Sequence, residues 1–248
     1  MCTLAIWIRA LPDLALVVAA NRDELLARPA APPALLAAAP RIVGGRDLEA
    51  GGTWLGISER GMVAGILNRR TATPPSAGKR SRGELPLRML AAPTAAAAAG
   101  VLRALAPDDY NAFNLLVADR DHAWVAQNRD GGIQLQPLDP GLHLCTNLDV
   151  NDPTCPRIAR SHRLFAAVGD DYGAHRDRHR LRTALASLLA DHATALDPRL
   201  PDEIESLCVH AGPYGTRCSS LLFLDAHGWE HWFADGAPCR TAYVAAPT

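Results

Sequence analysis

The chain has 248 residues, with 25 basic against 26 acidic side chains and a formal net charge of -1. That balance excludes an electrostatic case for nucleic acid or an acidic membrane as partner. Hydrophobic residues at 48% and charged residues at 21% describe an ordinary globular chain, read as one domain over residues 1–248.

The chain opens Met1-Cys2-Thr3. Removal of Met1 would leave a thiol and an α-amino group on one residue, a nucleophile beside a general base. Both groups exchange protons near neutrality, with ordinary pKa values of about 8.5 and about 7.7–8.0. The bland alternative is that Cys2 begins a strand and packs as a small hydrophobe. Cys2–Ile8 and Leu14–Ala20 read as two strands, the second running out at the polar cluster Asn21-Arg22-Asp23-Glu24. The run Leu14–Ala20 lacks a basic flank and a cleavage site, so it is not read as a signal peptide, and no stretch approaches the roughly 20 apolar residues of a membrane span. The next segment, rich in Pro and Ala through Pro40, is expected to be irregular.

Thr53–Ile57 and Met62–Leu67 read as a hairpin turning at Ser58-Glu59-Arg60-Gly61, with Asn68 closing the second strand. A polar loop follows from Thr71 to Gly83. Two helices are expected over Glu84–Ala92 and Thr94–Leu105, with Thr94 as N-cap. Asn114–Ala118 and Ala123–Gln127 form another strand pair, turning at residues 128–132 into a weak strand near Ile133–Leu135. Leu142–Thr146 is a strand that stops at Asn147. Helices over Arg157–Val168 and His179–His192 precede a Pro-containing linker. Strands then return at Ser219–Leu224, Trp229–Ala234 and Thr241–Ala245. This order of strand and helix blocks points to an α+β or layered sandwich domain.

The six cysteines include no Cys-x-x-Cys pair, which suits a reducing, cytoplasmic setting. The candidate chemistry gathers at polar residues expected at strand ends. An N-terminal cysteine nucleophile needs a group to orient its amine, a cation to favour thiolate, and donors for an oxyanion. Asp23 is the candidate for the first, Arg22 or Arg217 for the second, and the Asn147 side chain with the Asn68 backbone N–H for the third. Taken singly, each also fits a local turn bond or a surface ion pair. Metal binding is demoted. His175 with His179 lies in an Arg-rich run without a third ligand, and His227 with His231 spans a turn. A phosphate loop before Gly78-Lys79 fails at Thr73, and Gly56–Gly61 is too long for a nucleophile elbow. No cofactor is expected.

Asn21-Arg22-Asp23-Glu24 and Gly51-Gly52-Thr53-Trp54-Leu55-Gly56 resemble the signatures of the NRDE family, which includes the Transport and Golgi Organization proteins. Met1-Cys2-Thr3, Ser81-Arg82-Gly83-Glu84, Tyr110–Leu116 and Tyr214-Gly215-Thr216-Arg217 also look like family stretches, so the likeness covers nearly the whole chain. It implies a four-layer αββα sandwich of the N-terminal nucleophile (Ntn) hydrolase type. A more distant likeness is to choloylglycine hydrolases and penicillin V acylases, which cleave linear amides. It implies Cys2 as nucleophile, Asp23 as its amine contact, Asn68 and Cys145-Thr146-Asn147 as oxyanion elements, and Arg217 as a late active-site arginine. Those enzymes carry an arginine three residues before the Asp; here that position is Ala20, with Arg22 as the substitute. The implied function is hydrolysis of a small linear amide through a thioester. The alternative is a non-catalytic binding or trafficking protein, since the eukaryotic relatives are linked to haem handling. Cys155-Pro156 fits that alternative as a Cys-Pro pair, and also fits a proline in the first turn of a helix.

Overall fold

The computed structural model describes residues 2–72, 74–129, 132–194 and 205–248. Met1, Thr73, the centre of the expected turn at Asp130-Gly131 and most of the Pro-containing linker after His192 lie outside the described residues. In chain order the first strands are β1 (Thr3–Leu11), β2 (Leu14–Leu25), β3 (Ala30–Ala38), β4 (Arg41–Asp47), β5 (Leu55–Ser58) and β6 (Val63–Asn68). Helices α1 (Glu84–Leu90) and α2 (Ala95–Arg103) follow, then β7 (Phe113–Ala118), β8 (Ala123–Arg129), β9 (Gly132–Pro137) and β10 (Gly141–Cys145). Helices α3 (Pro156–His175) and α4 (Arg178–Leu189) precede β11 (His210–Ala211), β12 (Tyr214–Asp225), β13 (Gly228–Ala234) and β14 (Val244–Ala245).

The chain groups into two compact units. The first comprises Met1–Arg28, Pro140–Cys145 and Asp149–Ala246; the second comprises Pro29–Asp139, Thr146–Leu148 and Pro247–Thr248.

The first unit is an antiparallel sheet ordered β10-β1-β2-β12-β13-β14, with the short β11 also on β12. β1 and β2 are joined at Asp13, whose positive φ of 62° suits a short polar side chain in a tight turn. Their apolar residues are buried on both faces, which is why the sequence shows continuous runs and not alternation. α3 packs on β1, where Trp7 meets Phe165 edge-on at 5.7 Å between ring centroids. The close approach depends on Gly169: a Cβ there would lie 2.8 Å from Trp7 Nε1. α3 ends at Arg176 in the left-handed conformation, and Asp177 caps α4 by accepting a hydrogen bond from Arg180 N.

Three expectations are corrected in this unit. β2 does not stop at the polar cluster but continues through Leu25, because β12 pairs with it over Tyr214–Leu224 and satisfies its backbone. Gly215-Thr216-Arg217, expected at a strand end, lies inside β12 for the same reason. The last strand is shorter than expected, at Val244–Ala245.

The second unit is a sequential meander, β3 through β9, with α1 and α2 packed on it. Its core gathers Met62, Leu85, Met89, Leu102, Tyr110 and Phe113. Thr94 caps α2 as expected, accepting from Ala97 N at 3.1 Å. The Pro/Ala-rich stretch is the correction here: it forms the edge strand β3. Pro32 and Pro33 fall where the β3–β4 register shifts between Ala31 and Ala34, so their missing N–H groups cost no ladder bond. Gly52, at φ 80°, brings its loop against the start of α1; Thr53 N donates to Gly83 O at 2.9 Å, and a Cβ on Gly52 would lie 2.2 Å from that oxygen.

Two glycines of α3 should answer alanine with opposite signs. A Cβ at exposed Gly173 meets nothing within 4 Å, so Gly173→Ala should stabilise by about 1 kcal/mol through helix propensity. Gly169→Ala gains the same propensity but pushes on Trp7, and should lose about 1–3 kcal/mol net. Urea-unfolding midpoints of the two variants check this; equal shifts would remove the close approach.

Candidate functional site

The first unit builds a site around Cys2. Thr3 lies opposite Asn21 in the β1–β2 register, so Cys2 falls beside the Arg22-Asp23 stretch. Asp23 N donates to Cys2 Sγ at 3.3 Å, and the thiol donates to Asp23 O at the same distance. The Asp23 carboxylate is held from β12: Thr216 Oγ1 donates to Asp23 Oδ1 at 2.7 Å, while Val209 N donates to Thr216 Oγ1 at 2.9 Å. The Tyr214 hydroxyl donates to Asp23 O at 3.3 Å. Its pKa is raised, first by burial and then by the negative charge that Cys2 would carry as thiolate.

Asn21 anchors this arrangement. Its side-chain amide donates to the carbonyls of Leu189 and Leu207, both at 2.8 Å, and its Oδ1 accepts from Ser219 Oγ at 2.6 Å. The amide thus ties the end of α4 and the segment before β11 to the strand that carries Asp23.

The electrostatics oppose a resting thiolate. Desolvation, and then the charge of Asp23, push the Cys2 thiol up to about 11, with the chain's amine, the Asp23 backbone hydrogen bond and lastly Arg22 pulling the other way. Arg22 is 8% exposed and lies 3.9 Å from Glu24. A second cation was not anticipated from the sequence. Arg157, 2% exposed, donates to Glu205 O at 2.8 Å, Ser206 O at 3.1 Å and Thr3 Oγ1 at 2.7 Å. Burial lowers its pKa, while the charges of Asp23 and of Cys2 as thiolate favour its protonated form. One signal for it is legible in the sequence. A cation in the first turn of a helix opposes the macrodipole, and Arg157 keeps company there with inward-facing Ile158, Ser161 and Phe165.

Arg217 is placed differently from expectation. It occupies the irregularity between Thr216 and Cys218 in the β2–β12 register, and its guanidinium bonds Asp235 Oδ1 at 3.0 Å. Its neighbour Thr216 is the residue that reaches Asp23. Cys155 is fully buried at the N-cap of α3 with Pro156 in the first turn, where its missing N–H costs no helix bond.

In the second unit, Asn68 and Asn147 are brought together. Asn147 Nδ2 donates to Asn68 O at 2.6 Å, and Arg70 N donates to Asn147 O at 2.8 Å. Asn114 fixes the Asn147 loop by donating to Thr146 O and Leu148 O, both at 2.7 Å. The same unit holds a cavity of about 360 Å³ lined in part by Arg69, Lys79, Arg82, Tyr110 and Arg129. Each of these cations already bonds a protein group: Arg82 donates to Ala112 O at 2.9 Å, Arg69 to Asn114 Oδ1 at 3.1 Å, Arg129 to Gln134 Oε1 at 3.1 Å and Lys79 to Tyr110 O at 3.4 Å.

Comparison with known proteins gives the arrangement its context. The chain is similar to the bovine (Bos taurus) Transport and Golgi organization protein 2 homolog, 29% identical over 235 residues that span 86% of this chain and 83% of that protein. In three dimensions it is similar to the penicillin V acylase of Agrobacterium tumefaciens, with TM-score 0.60 and 13% identity, covering 94% of this chain and 83% of the acylase. It is also similar to the C2A mutant of the conjugated bile acid hydrolase of Clostridium perfringens, with TM-score 0.59 and 10% identity over 100% and 97% of the two chains. These structures place the chain in the α+β sandwich fold of the Ntn hydrolases. The model of the Transport and Golgi organisation 2 family matches residues 1–235, and this chain belongs to that family.

Proposed function

We propose that this protein is an Ntn-type amidohydrolase in which Cys2, exposed by removal of Met1, attacks a small linear amide. The observation that carries this reading is the double contact of the Cys2 thiol with the Asp23 backbone, beside a carboxylate fixed by Thr216. Asp23 disfavours a lone thiolate but favours the ammonium that forms once the neutral α-amino group of a processed Cys2 has taken the thiol proton. The α-amino group would take the thiol proton as sulfur bonds to the substrate carbonyl carbon. The tetrahedral intermediate would collapse to a thioester as the C–N bond breaks, with the proton passing to the departing amine. Water would then add to the thioester and release the acid together with the free thiol. Arg157 supports the reading as the buried cation next to Thr3, taking the place of the arginine that the acylase likeness leads one to expect at Ala20. Oxyanion stabilisation is assigned to the Asn68 backbone N–H and to the Asn147 amide proton that Asn68 O does not accept. A cytoplasmic location and a small-molecule substrate belong to the same proposal; among the described residues no helix is long and apolar enough to cross a membrane.

A second reading, a binding or trafficking protein on the same scaffold, is favoured by the raised thiol pKa and by the basic cavity near Arg82. One experiment separates the two. Intact mass is measured before and after a thiol-reactive amide or ester probe, with Cys2→Ala alongside. Loss of Met1 and a single adduct absent from Cys2→Ala are expected. Retained Met1, no Cys2-dependent adduct and a saturable absorbance change with haem would establish the second reading instead.

The pH dependence has a definite sign. A thiol with a raised pKa stays protonated and unreactive until the pH approaches it. In protein that retains Met1, alkylation of Cys2 by iodoacetamide should climb with an inflection near 11. Processing should lower that inflection, since a protonated α-amino group on Cys2 itself then replaces a neutral amide. Identical profiles would leave the amine without a role. Asn147→Ala should lower turnover of an amide probe by about 10²–10³; unchanged turnover would remove Asn147 from the oxyanion role.

A further inference from the structure

Away from Cys2, the first unit gathers a second set of reactive side chains. His192 follows α4, Cys208 precedes β11, His210 begins β11, and Cys239 lies between β13 and β14. One ligand atom from each lies within 4.8 Å of all the others. Cys208 Sγ is 3.6 Å from Cys239 Sγ and 3.8 Å from His210 Nε2, and His210 Nε2 is 3.2 Å from Cys239 Sγ. The two imidazole rings sit 5.2 Å apart and tilted by 36°, so they converge and do not stack.

The separations among Cys208, His210 and Cys239 are close to those of a coordination shell, with the His192 donor within 4.8 Å of each. Tetrahedral zinc has bonds of about 2.3 Å to sulfur and about 2.0–2.1 Å to nitrogen, which separate the donor atoms by roughly 3.3–3.8 Å. A disulfide would need sulfurs at about 2.05 Å and would leave both imidazoles without a function. The tautomer of His192 also fits. Its Nδ1 donates to Cys208 O at 3.0 Å, so in the neutral imidazole the Nε2 lone pair is the one available to a metal. That carbonyl is the backbone of a ligand residue, an outer contact of the kind that fixes a metal-bound histidine.

We propose that His192, Cys208, His210 and Cys239 bind one zinc ion in a closed, tetrahedral Cys2His2 site. Binding removes the two thiol protons, so two thiolates balance the dication and the site is neutral. Four protein ligands leave no open position for substrate, which makes the role structural. The ion joins the end of α4, β11 and the β13–β14 loop. Cys208 adjoins Leu207, whose carbonyl holds Asn21, and Val209, whose N–H holds Thr216. The zinc therefore braces the segment that holds Asn21 and Thr216, and Thr216 is the residue that donates to Asp23 Oδ1. The site stands without the thiol chemistry of Cys2 and is testable without turnover.

The test uses the full chain without an affinity tag, reduced, stripped of metal and titrated with Co²⁺ and then Zn²⁺. Expected is one equivalent of Co²⁺ with the intense visible bands of tetrahedral cobalt and a near-ultraviolet thiolate charge-transfer band, both erased by Zn²⁺. Cys239→Ser and His192→Gln, each at an exposed ligand, should weaken zinc binding by more than tenfold, and His227→Gln should leave it unchanged. The wild-type cobalt spectrum keeps the test informative should a variant misfold. Absence of those bands, zinc binding unaffected by Cys239→Ser and His192→Gln, or a Cys208–Cys239 disulfide found in protein purified without reductant as the state that persists in the presence of Zn²⁺ would overturn the proposal.

Discussion

The buried amide of Asn21 is the interaction on which the first unit turns. A strand that carries Asn-Arg-Asp-Glu in sequence can stay paired only if each buried polar group finds a partner. Asn21 meets that condition by satisfying two carbonyls from distant segments and accepting the Ser219 hydroxyl. Leaving such groups buried and unbonded would cost about 1–3 kcal/mol each. With the amide in place β2 keeps its register with β12 past Ala20. That register sets Thr216 opposite Asp23 and leaves Cys2 against the Asp23 backbone.

The charges around Cys2 have to serve two demands at once. Burial and Asp23 hold the thiol neutral, while Arg22 and Arg157 provide positive charge in the same neighbourhood. Arg157 persists in the interior because its guanidinium donates to two carbonyls and a hydroxyl. A buried arginine left without such partners would be strongly unfavourable. The likeness to the acylases directs attention to position 20, but Ala20 is packed in the sheet and the buried cation comes from α3. The segment Glu205–Val209 links these features. It presents carbonyls to Arg157 and Asn21, an N–H to Thr216, and Cys208 to the histidine-cysteine cluster.

The second unit follows a different logic, with local order doing most of the work. Its strands pair in sequence from β3 to β9, and its hairpin turn ends at Gly61 with a φ of 73°. Asn68 and Asn147 are far apart in the chain, yet a 2.6 Å hydrogen bond joins them because Asn114 pins the loop that carries Asn147. The amide that was expected to donate to an oxyanion thus already gives one proton to a backbone carbonyl.

Local chemistry was legible in the residues themselves. The apolar runs of β1 and β2, the hairpin at Ser58–Gly61, the Thr94 cap and the Cys2–Asp23 candidates all follow from short-range pattern and composition. β3 was missed because prolines argue against a strand unless a register shift absorbs them, and a register shift belongs to the pairing of two strands. The full length of β2 was missed because its backbone partners lie almost 200 residues away in β12. Arg157 left one sequence signal, its place in the first turn of a helix, whereas Thr216 and the quartet of His192, Cys208, His210 and Cys239 needed the fold entirely, as the quartet's members are separated in the chain by 16, 2 and 29 residues and follow no ligand spacing. The sequence by itself determined which residues could do chemistry and which segments would be extended or helical, since side-chain type and periodicity act over a few residues. Only the tertiary structure decided which of those groups meet, because convergence depends on sheet order and on the burial that each polar group has to survive.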